Sequence, residues 1–478
     1  MILENITADE ALAKLQVSCM AVEKNIAVTK EAYEEAVSIA KIFINRTKLD
    51  SSNSSKAPST DNNKKNNNNK QKSNRKAGGQ KGHKGNTIEP RPNVDETKNI
   101  KINRKKLPKG KTFTHVGYES RQVIEITICE KVVEYRAEIL VDENGKKYVA
   151  KFPKGVTRPV QYGNSVKAST TYLSQYQLLP YDRIAQQYKD EYNMPLSSGS
   201  IYNFNQEAAK LLLELEIEKK IKQALKNSGR IHADETGINI KGEKKWLHTV
   251  ADDYWTWYEH HDKRGVEAMK AINILPSYNG VLCHDHWKPY YTYNCIHSLC
   301  NSHHLRELKR AYEQDDQSWA KKMYDFLLRV RNEVADNKRK KLPKKICKLR
   351  RKEYKNILAK GEIECPLKLP KKGTRMPAQS KSRNLLSRLI KFENDVLRFM
   401  ENSIVPFSNN LAERDLRMTK VQQKISGCFR SQDGAKGFCI VRSYLSTCQK
   451  HGVTASKALE LLFDKKLPDF FNKILDSS

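Results

Sequence analysis

No apolar run in the chain approaches the roughly 20 residues that a helical membrane span needs, so a membrane-embedded carrier or channel is not expected. The ten cysteines contain no C-x-x-C pair and lie scattered, which fits reduced thiols filling the core of a cytosolic protein. The opening residues, M-I-L-E-N-I-T-A-D-E, lack the basic stretch of a secretory signal and carry acids early. Acids are also scarce overall. Against 87 Lys and Arg there are 55 Asp and Glu, giving a net charge of +32 over 478 residues. A polyanion is the expected partner, with nucleic acid first among them. Charge alone leaves RNA-binding proteins as open as DNA-binding ones. The length suits about three domains.

Residues Thr7 to Thr47 lack Gly and Pro and repeat apolar residues at mixed three- and four-residue spacings. They predict a long amphipathic helix or helical hairpin, either a coiled-coil dimerisation element or a helix packed on its own domain. Asp50 to Asn74 is Ser, Asn and Lys of low complexity, a composition that cannot bury a core. Arg75 to Gly85 interleaves four glycines with basic residues, as in a flexible arm that tracks phosphates, with Lys81, His83 and Lys84 as candidate contacts. Strand-like runs at Gln122 to Cys129, Val132 to Ile139 and Lys147 to Phe152, with an Asp-Glu-Asn-Gly turn at 142–145, predict a small β module.

Pro159 to Leu215 reads as helical, broken at Pro180 and at Met194-Pro195. Ser197 or Ser198 can cap the last helix. Helix, short turn, helix is the helix-turn-helix pattern, with Ser198, Ser200 and Tyr202 as candidate DNA contacts; a plain helical bundle is the alternative.

Arg230 to Ile240, R-I-H-A-D-E-T-G-I-N-I, is rich in β-branched residues, with an aspartate where a buried strand normally carries valine. Two further strand-like runs follow, Lys245 to Ala251 and Tyr254 to His260, joined by an Asp252-Asp253 turn. A helical run, Arg264 to Leu275, leads to a fourth strand ending on Asp285, able to lie parallel to the first. Asp234 and Asp285 then stand on neighbouring strands, where two carboxylates repel unless a divalent cation sits between them. Strand alternation turns Glu235 to the opposite face from Asp234. Cys295, Cys300, His303 and His304 lack the spacing of a zinc finger or knuckle and read better as a fifth strand running into a helix. His303, His304 and Arg306 are candidate DNA-contacting groups, and either histidine could instead handle protons. Residues 315–404 are helical and very basic, including K-R-K-K-L-P-K-K from Lys338 and K-L-R-R-K from Lys348, a density of one sign that suggests phosphate contact. In S-N-N-L-A-E-R-D-L-R, Ser408 or Asn409 can cap a helix. Its first turn carries Glu413, by itself an ordinary dipole-complementing acid, with Arg414 and Arg417 on one side.

The ordered motifs H-A-D-E-T-G, C-H-D-H-W-K-P-Y-Y, C-N-S-H-H-L-R-E-L, N-N-L-A-E-R-D-L-R and S-G-C-F-R-S resemble those of insertion-sequence-66 family transposases. The glycine-rich arm and the V-Q-Y-G, L-L-P-Y-D-R and L-S-S-G-S-I segments resemble that family's linker and helical region, so the likeness runs from about Ser51 onward. It implies a DDE enzyme of α/β class. An RNase H-like core (229–312 and 405–478) would be interrupted by a basic helical insertion (313–404). The N-terminal helix (1–49), the basic linker and arm (50–100), the β module (101–157) and a helix-turn-helix-like region (158–228) would precede it. Asp234, Asp285 and Glu413 take the catalytic and metal-binding positions. The implied cofactor is Mg2+, with Mn2+ as a substitute. The implied partner is double-stranded DNA, both terminal inverted repeats and target, bound by a dimer or larger synaptic assembly, with accessory proteins of the element as further partners and a nucleoid-associated cytoplasmic location. Asp415, two positions from Glu413, is expected to point away. Two departures stand out. Thr112 to Ile126, where the family has a cysteine zinc module, contains no cysteine, which argues against structural zinc there. His286 follows the second aspartate where glycine is usual, and it leaves the carboxylate intact. An RNase H-like nuclease or resolvase and a catalytically inactive DNA-binding regulator are the alternatives.

Overall fold

The computed structural model describes residues 90–126, 129–370 and 377–472. The expected N-terminal helix, the low-complexity linker and the arm with Lys81, His83 and Lys84 lie outside the described residues. What is described falls into two units, residues 90–152 and residues 153–472.

The first unit holds one antiparallel hairpin, β1 (Ile139–Val141) and β2 (Lys147–Val149). Its turn is the expected one: the Asp142 carboxylate accepts from the N–H groups of Asn144 and Lys146, and Gly145 takes φ +81°. Of the other predicted strands, the described residues 122–126 and 132–138 pair with nothing in a ladder. Val123, Ile124, Ile126, Val132 and Val133 all stay exposed. High β propensity has no effect here because these side chains have no second layer to pack on.

The second unit is a mixed α/β domain. It opens with α1 (Asn164–Thr171), a π-helical turn (Tyr172–Tyr176), α2 (Tyr181–Tyr192), α3 (Ser198–Glu214) and α4 (Ile217–Lys226). The Ser197 hydroxyl caps α3 by accepting from Ser200 N at 3.0 Å. Ile184, Tyr188, Leu196 and Ile201 form a small core between α2 and α3.

The chain then lays down β3 (Arg230–Ile240), β4 (Glu243–Ala251) and β5 (Thr256–His261) as an antiparallel meander. Lys241 and Gly242 both have positive φ, which suits the tight two-residue turn between β3 and β4. The Asp252 carboxylate closes the next turn by accepting from Tyr254 N and Trp255 N. After α5 (Val266–Ile272), β6 (Val281–His284) returns parallel to β3, and β7 (Ile296–Leu299) adds parallel to β6. The five-stranded mixed sheet runs β5-β4-β3-β6-β7. Gly280 immediately precedes β6, where a Cβ would run into the Tyr278 ring and the Gly229 carbonyl, so only glycine lets the strands close up there.

Helices α6 (Asn301–Gln314), α7 (Ser318–Asp336), α8 (Lys344–Glu364), α9 (Lys381–Lys391) and α10 (Glu393–Glu401) follow. They share one core with Val281, Cys283 and Leu299 of the sheet. This basic stretch spends many of its arginines internally. Arg350 pairs with Glu333 and Glu353, Arg351 with Glu393 and Glu401, and Arg383 with Glu362. Lys338, Lys340, Lys341, Lys344 and Lys345 remain exposed, so the surface charge is concentrated in the first of the two basic runs.

Helix α11 (Asn410–Ser426) crosses β3 and β4, and α12 (Gln432–Lys450) is buried along most of its length between the sheet and α3. α12 also closes the β5 edge. Ser443 Oγ and Thr447 Oγ1 accept the backbone N–H groups of Tyr258 and Thr256. α13 (Ala455–Phe463), capped by Thr454, completes the core that holds Ile231, Ala233 and Leu282. No helix among the described residues is long and apolar enough to cross a membrane.

Candidate active site

Asp234 sits in the middle of β3, the central strand, on the face crossed by α11. Its carboxylate accepts from Glu235 N at 2.9 Å. Asp285 lies one residue beyond the end of β6, with its carboxylate accepting from Trp287 N at 3.0 Å. Glu413 is in the first turn of α11. Burial raises the Asp234 carboxyl well above its usual range, and the nearby charges of Glu235, Asp285 and Glu413 add to that. Burial also raises Asp285, against the opposing pull of the Trp287 N–H and the Arg264 charge. Acids far apart in sequence are thus brought close enough for Asp285 and Glu413 to disfavour the ionisation of Asp234.

What holds Glu413 in this place is Asn409. Its position caps α11, but its side chain makes no capping bond. Instead Nδ2 donates to the Ala233 carbonyl at 2.9 Å and Oδ1 meets His232 Nδ1 at 2.8 Å. Asn409 N donates to Cys300 Sγ at 3.1 Å, and Asn301 N donates to the Phe407 carbonyl at 3.1 Å. The start of α11 is therefore tied both to the strand carrying Asp234 and to the start of α6.

Glu235 occupies the other face, as alternation requires, and it is fully partnered there. Tyr290 Oη donates to Oε2 at 2.6 Å, while Arg264 Nε and Nη2 reach Oε1 at 2.9 and 2.7 Å. The Arg264 guanidinium lies over the rings of Trp287 and Trp246, at 4.1 and 4.9 Å from their centroids. The sequence alone assigned no role to Arg264 or Tyr290 and offered Asn409 only as a helix cap; the signal for Tyr290 was the aromatic W-K-P-Y-Y run after Asp285. Asp415 also points away, toward Lys450 and Thr256.

The candidate DNA-contacting residues separate. Arg414 and Arg417 are exposed on α11 beside Glu413. His303 and Arg306 are half-buried on α6. Burial and the charges of Arg306 and Arg388 push His303 down to about 4, so it stands neutral near its 3.7 Å neighbour Glu413 Oε1. His304 corrects the expectation: it is 2 % exposed and bonded through Nδ1 to Asn301 Oδ1, so it faces the core and not a ligand. The Ser198 hydroxyl is engaged by Asp182, and that of Ser200 by Ser197, which leaves them tying α2 to α3 and capping it. Tyr202 is half-buried. The His286 ring packs on Phe392 at 4.5 Å.

The family described as Transposase IS66 family matches residues 159–437, more than half of the chain. The chain belongs to the transposase IS66 family. The match runs from just before α1 into α12, and includes the whole sheet of this transposase with Asp234, Asp285 and Glu413. A second match, to a family of unknown function (DUF6444), covers residues 5–89. No curated protein matches the chain.

Proposed function

We propose that this transposase cuts and joins DNA by DDE chemistry, with Asp234, Asp285 and Glu413 as the catalytic trio. The observation that carries this reading is the convergence of three carboxyl groups, from β3, the end of β6 and α11, with Asp234 held against ionisation by burial and by its neighbours. Hard oxygen donors alone, with an excess of negative charge, fit Mg2+ or Mn2+ by donor chemistry. Bound there, such ions supply a nucleophile at neutral pH and charge stabilisation for the leaving oxygen. The protein's own part is placement. Asn409 fixes the Glu413 helix on β3, and the Trp287 N–H orients the Asp285 carboxylate. The sheet order, three antiparallel strands followed by two parallel ones beside the first, supports an RNase H-like core. The α2–turn–α3 unit with its own small core supports a helix-turn-helix reading. Arg414, Arg417 and the exposed lysines between Lys338 and Lys345 are then surfaces for the phosphate backbone of double-stranded DNA.

The test is an assay with the terminal repeats that flank the gene, in Mg2+ or Mn2+, following cleavage and joining separately. The full chain is expected to expose 3′ ends and join them to target DNA. Cutting without joining would make it a nuclease, and binding without either would make it a regulator.

A further inference from the structure

Beside the three-acid cluster lies a second group of potential ligands with different chemistry. Cys300 Sγ, a His303 ring nitrogen and a Glu413 carboxylate oxygen all lie within 4.8 Å of one another. The thiol is 3.6 Å from Glu413 Oε1 and the imidazole nitrogen is 3.7 Å from the same oxygen. A tetrahedral zinc ion, with bonds of roughly 2.3 Å to sulfur and about 2.1 Å to nitrogen and oxygen, requires ligand–ligand edges of about 3.4–3.6 Å. Both measured edges are close to that without any rearrangement. The imidazole contact is too long for a hydrogen bond, and His303 Nδ1 is a buried atom with no hydrogen-bond partner. With the ring proton on Nε2, the Nδ1 lone pair is free for a cation.

The frame around these atoms is rigid. Cys300 and His303 begin α6 as C-x-x-H, with His303 N bonded to the Cys300 carbonyl at 3.1 Å. Glu413 N is bonded to the Asn409 carbonyl, and Asn409 N to Cys300 Sγ, so the two helix starts carry their side chains to one point. The Glu413 and His303 side chains retain 23 % and 31 % of their exposure, which leaves a route in from solvent.

We infer that Cys300, His303 and Glu413 form a zinc-class transition-metal site that shares Glu413 with the proposed catalytic cluster. Sulfur, nitrogen and oxygen donors together select Zn2+ or Co2+ over Mg2+. Three protein ligands leave the fourth position open to water or a phosphate oxygen, the pattern of a reactive rather than a closed structural site. On binding, the thiol proton leaves to water. The site differs from the finger-type grouping weighed for this segment: His304 is turned into the core and Cys295 lies outside the cluster. It rests on the catalytic reading only through Glu413.

The full chain, stripped of metal by a chelator and titrated with Co2+, is the test. The expected result is one bound ion giving tetrahedral visible bands and a thiolate-to-cobalt charge-transfer band. Cys300→Ser should abolish the charge-transfer band and His303→Gln should weaken binding by more than about tenfold. Asp234→Asn should leave both intact, with circular dichroism confirming that each variant is folded. A wild-type titration without the thiolate band, or a band that survives in Cys300→Ser, overturns the proposal. If the cobalt bands behave as expected while Asp234→Asn still joins DNA ends, the metal site stands and the catalytic reading falls. The reverse pattern removes the metal site and keeps the catalytic trio.

Discussion

Asp234 and Glu235 are consecutive carboxylates on one strand, and the two faces of the sheet treat them in opposite ways. On the Glu235 face burial also raises the carboxyl, but the protein offsets part of that cost with two guanidinium nitrogens and a phenol, the guanidinium itself lying over two indole rings. On the Asp234 face it supplies two more acids and one backbone N–H. Compensated charge holds a fold together. Uncompensated charge in a buried place lowers stability, and persists where something from outside is to be bound.

The sharpest way to break this contrast is to neutralise each side. Asp234→Asn, Asp285→Asn and Glu413→Gln should each reduce strand transfer by at least about 10³-fold. Asp234→Asn should also raise the melting temperature at neutral pH in the absence of metal. The folded carboxyl keeps its proton more tightly than the unfolded one, so its ionisation costs stability above the unfolded pKa. Mg2+ should raise the melting temperature of the wild type and have little effect on that variant, and EDTA should undo the gain. A lower melting temperature for Asp234→Asn would show that its surroundings do favour the charge.

Glu235→Gln should gain less from losing its ionisable group, because Tyr290 and Arg264 offset part of the burial that raises this carboxyl. It strands the Arg264 charge and should cost about 2–3 kcal/mol in urea unfolding, with a smaller loss of strand transfer than any of the three acids gives. Asn409→Ala should cost about 1–2 kcal/mol and slow strand transfer, since it releases the Glu413 helix from β3. Tyr290→Phe should be the mildest, about 1 kcal/mol, because one donor is lost and Arg264 remains. If it proves as costly as Glu235→Gln, the phenol and not the guanidinium is the main partner.

Much of the sheet was legible in sequence because its signals are local. β3 begins and ends where the β-branched run does, and the Asp252 turn forms through its own side chain. The side of β3 on which Glu235 lies followed from alternation alone. Its partners did not, because Arg264 and Tyr290 reach it from later segments through tertiary packing. Glu413 was bland in isolation for the same reason, since only Asn409 and the α6 start give its helix an address. The misreadings run the other way. Residues 122–126 and 132–138 had strand-forming side chains that stay largely exposed, while His304 looked available because a helix start next to basic residues does not reveal which side is buried.

The hydroxyls of Ser443 and Thr447 that meet β5 have a counterpart at the far edge, where Arg398 Nε donates to the His297 carbonyl of β7. Both outer strands therefore present polar backbone groups already taken by helices of the same chain. These contacts work against copies of this protein joining by continuing one another's sheet. A variant that frees β5, such as Thr447→Val with Ser443→Ala, should therefore expose backbone donors that invite edge-to-edge aggregation.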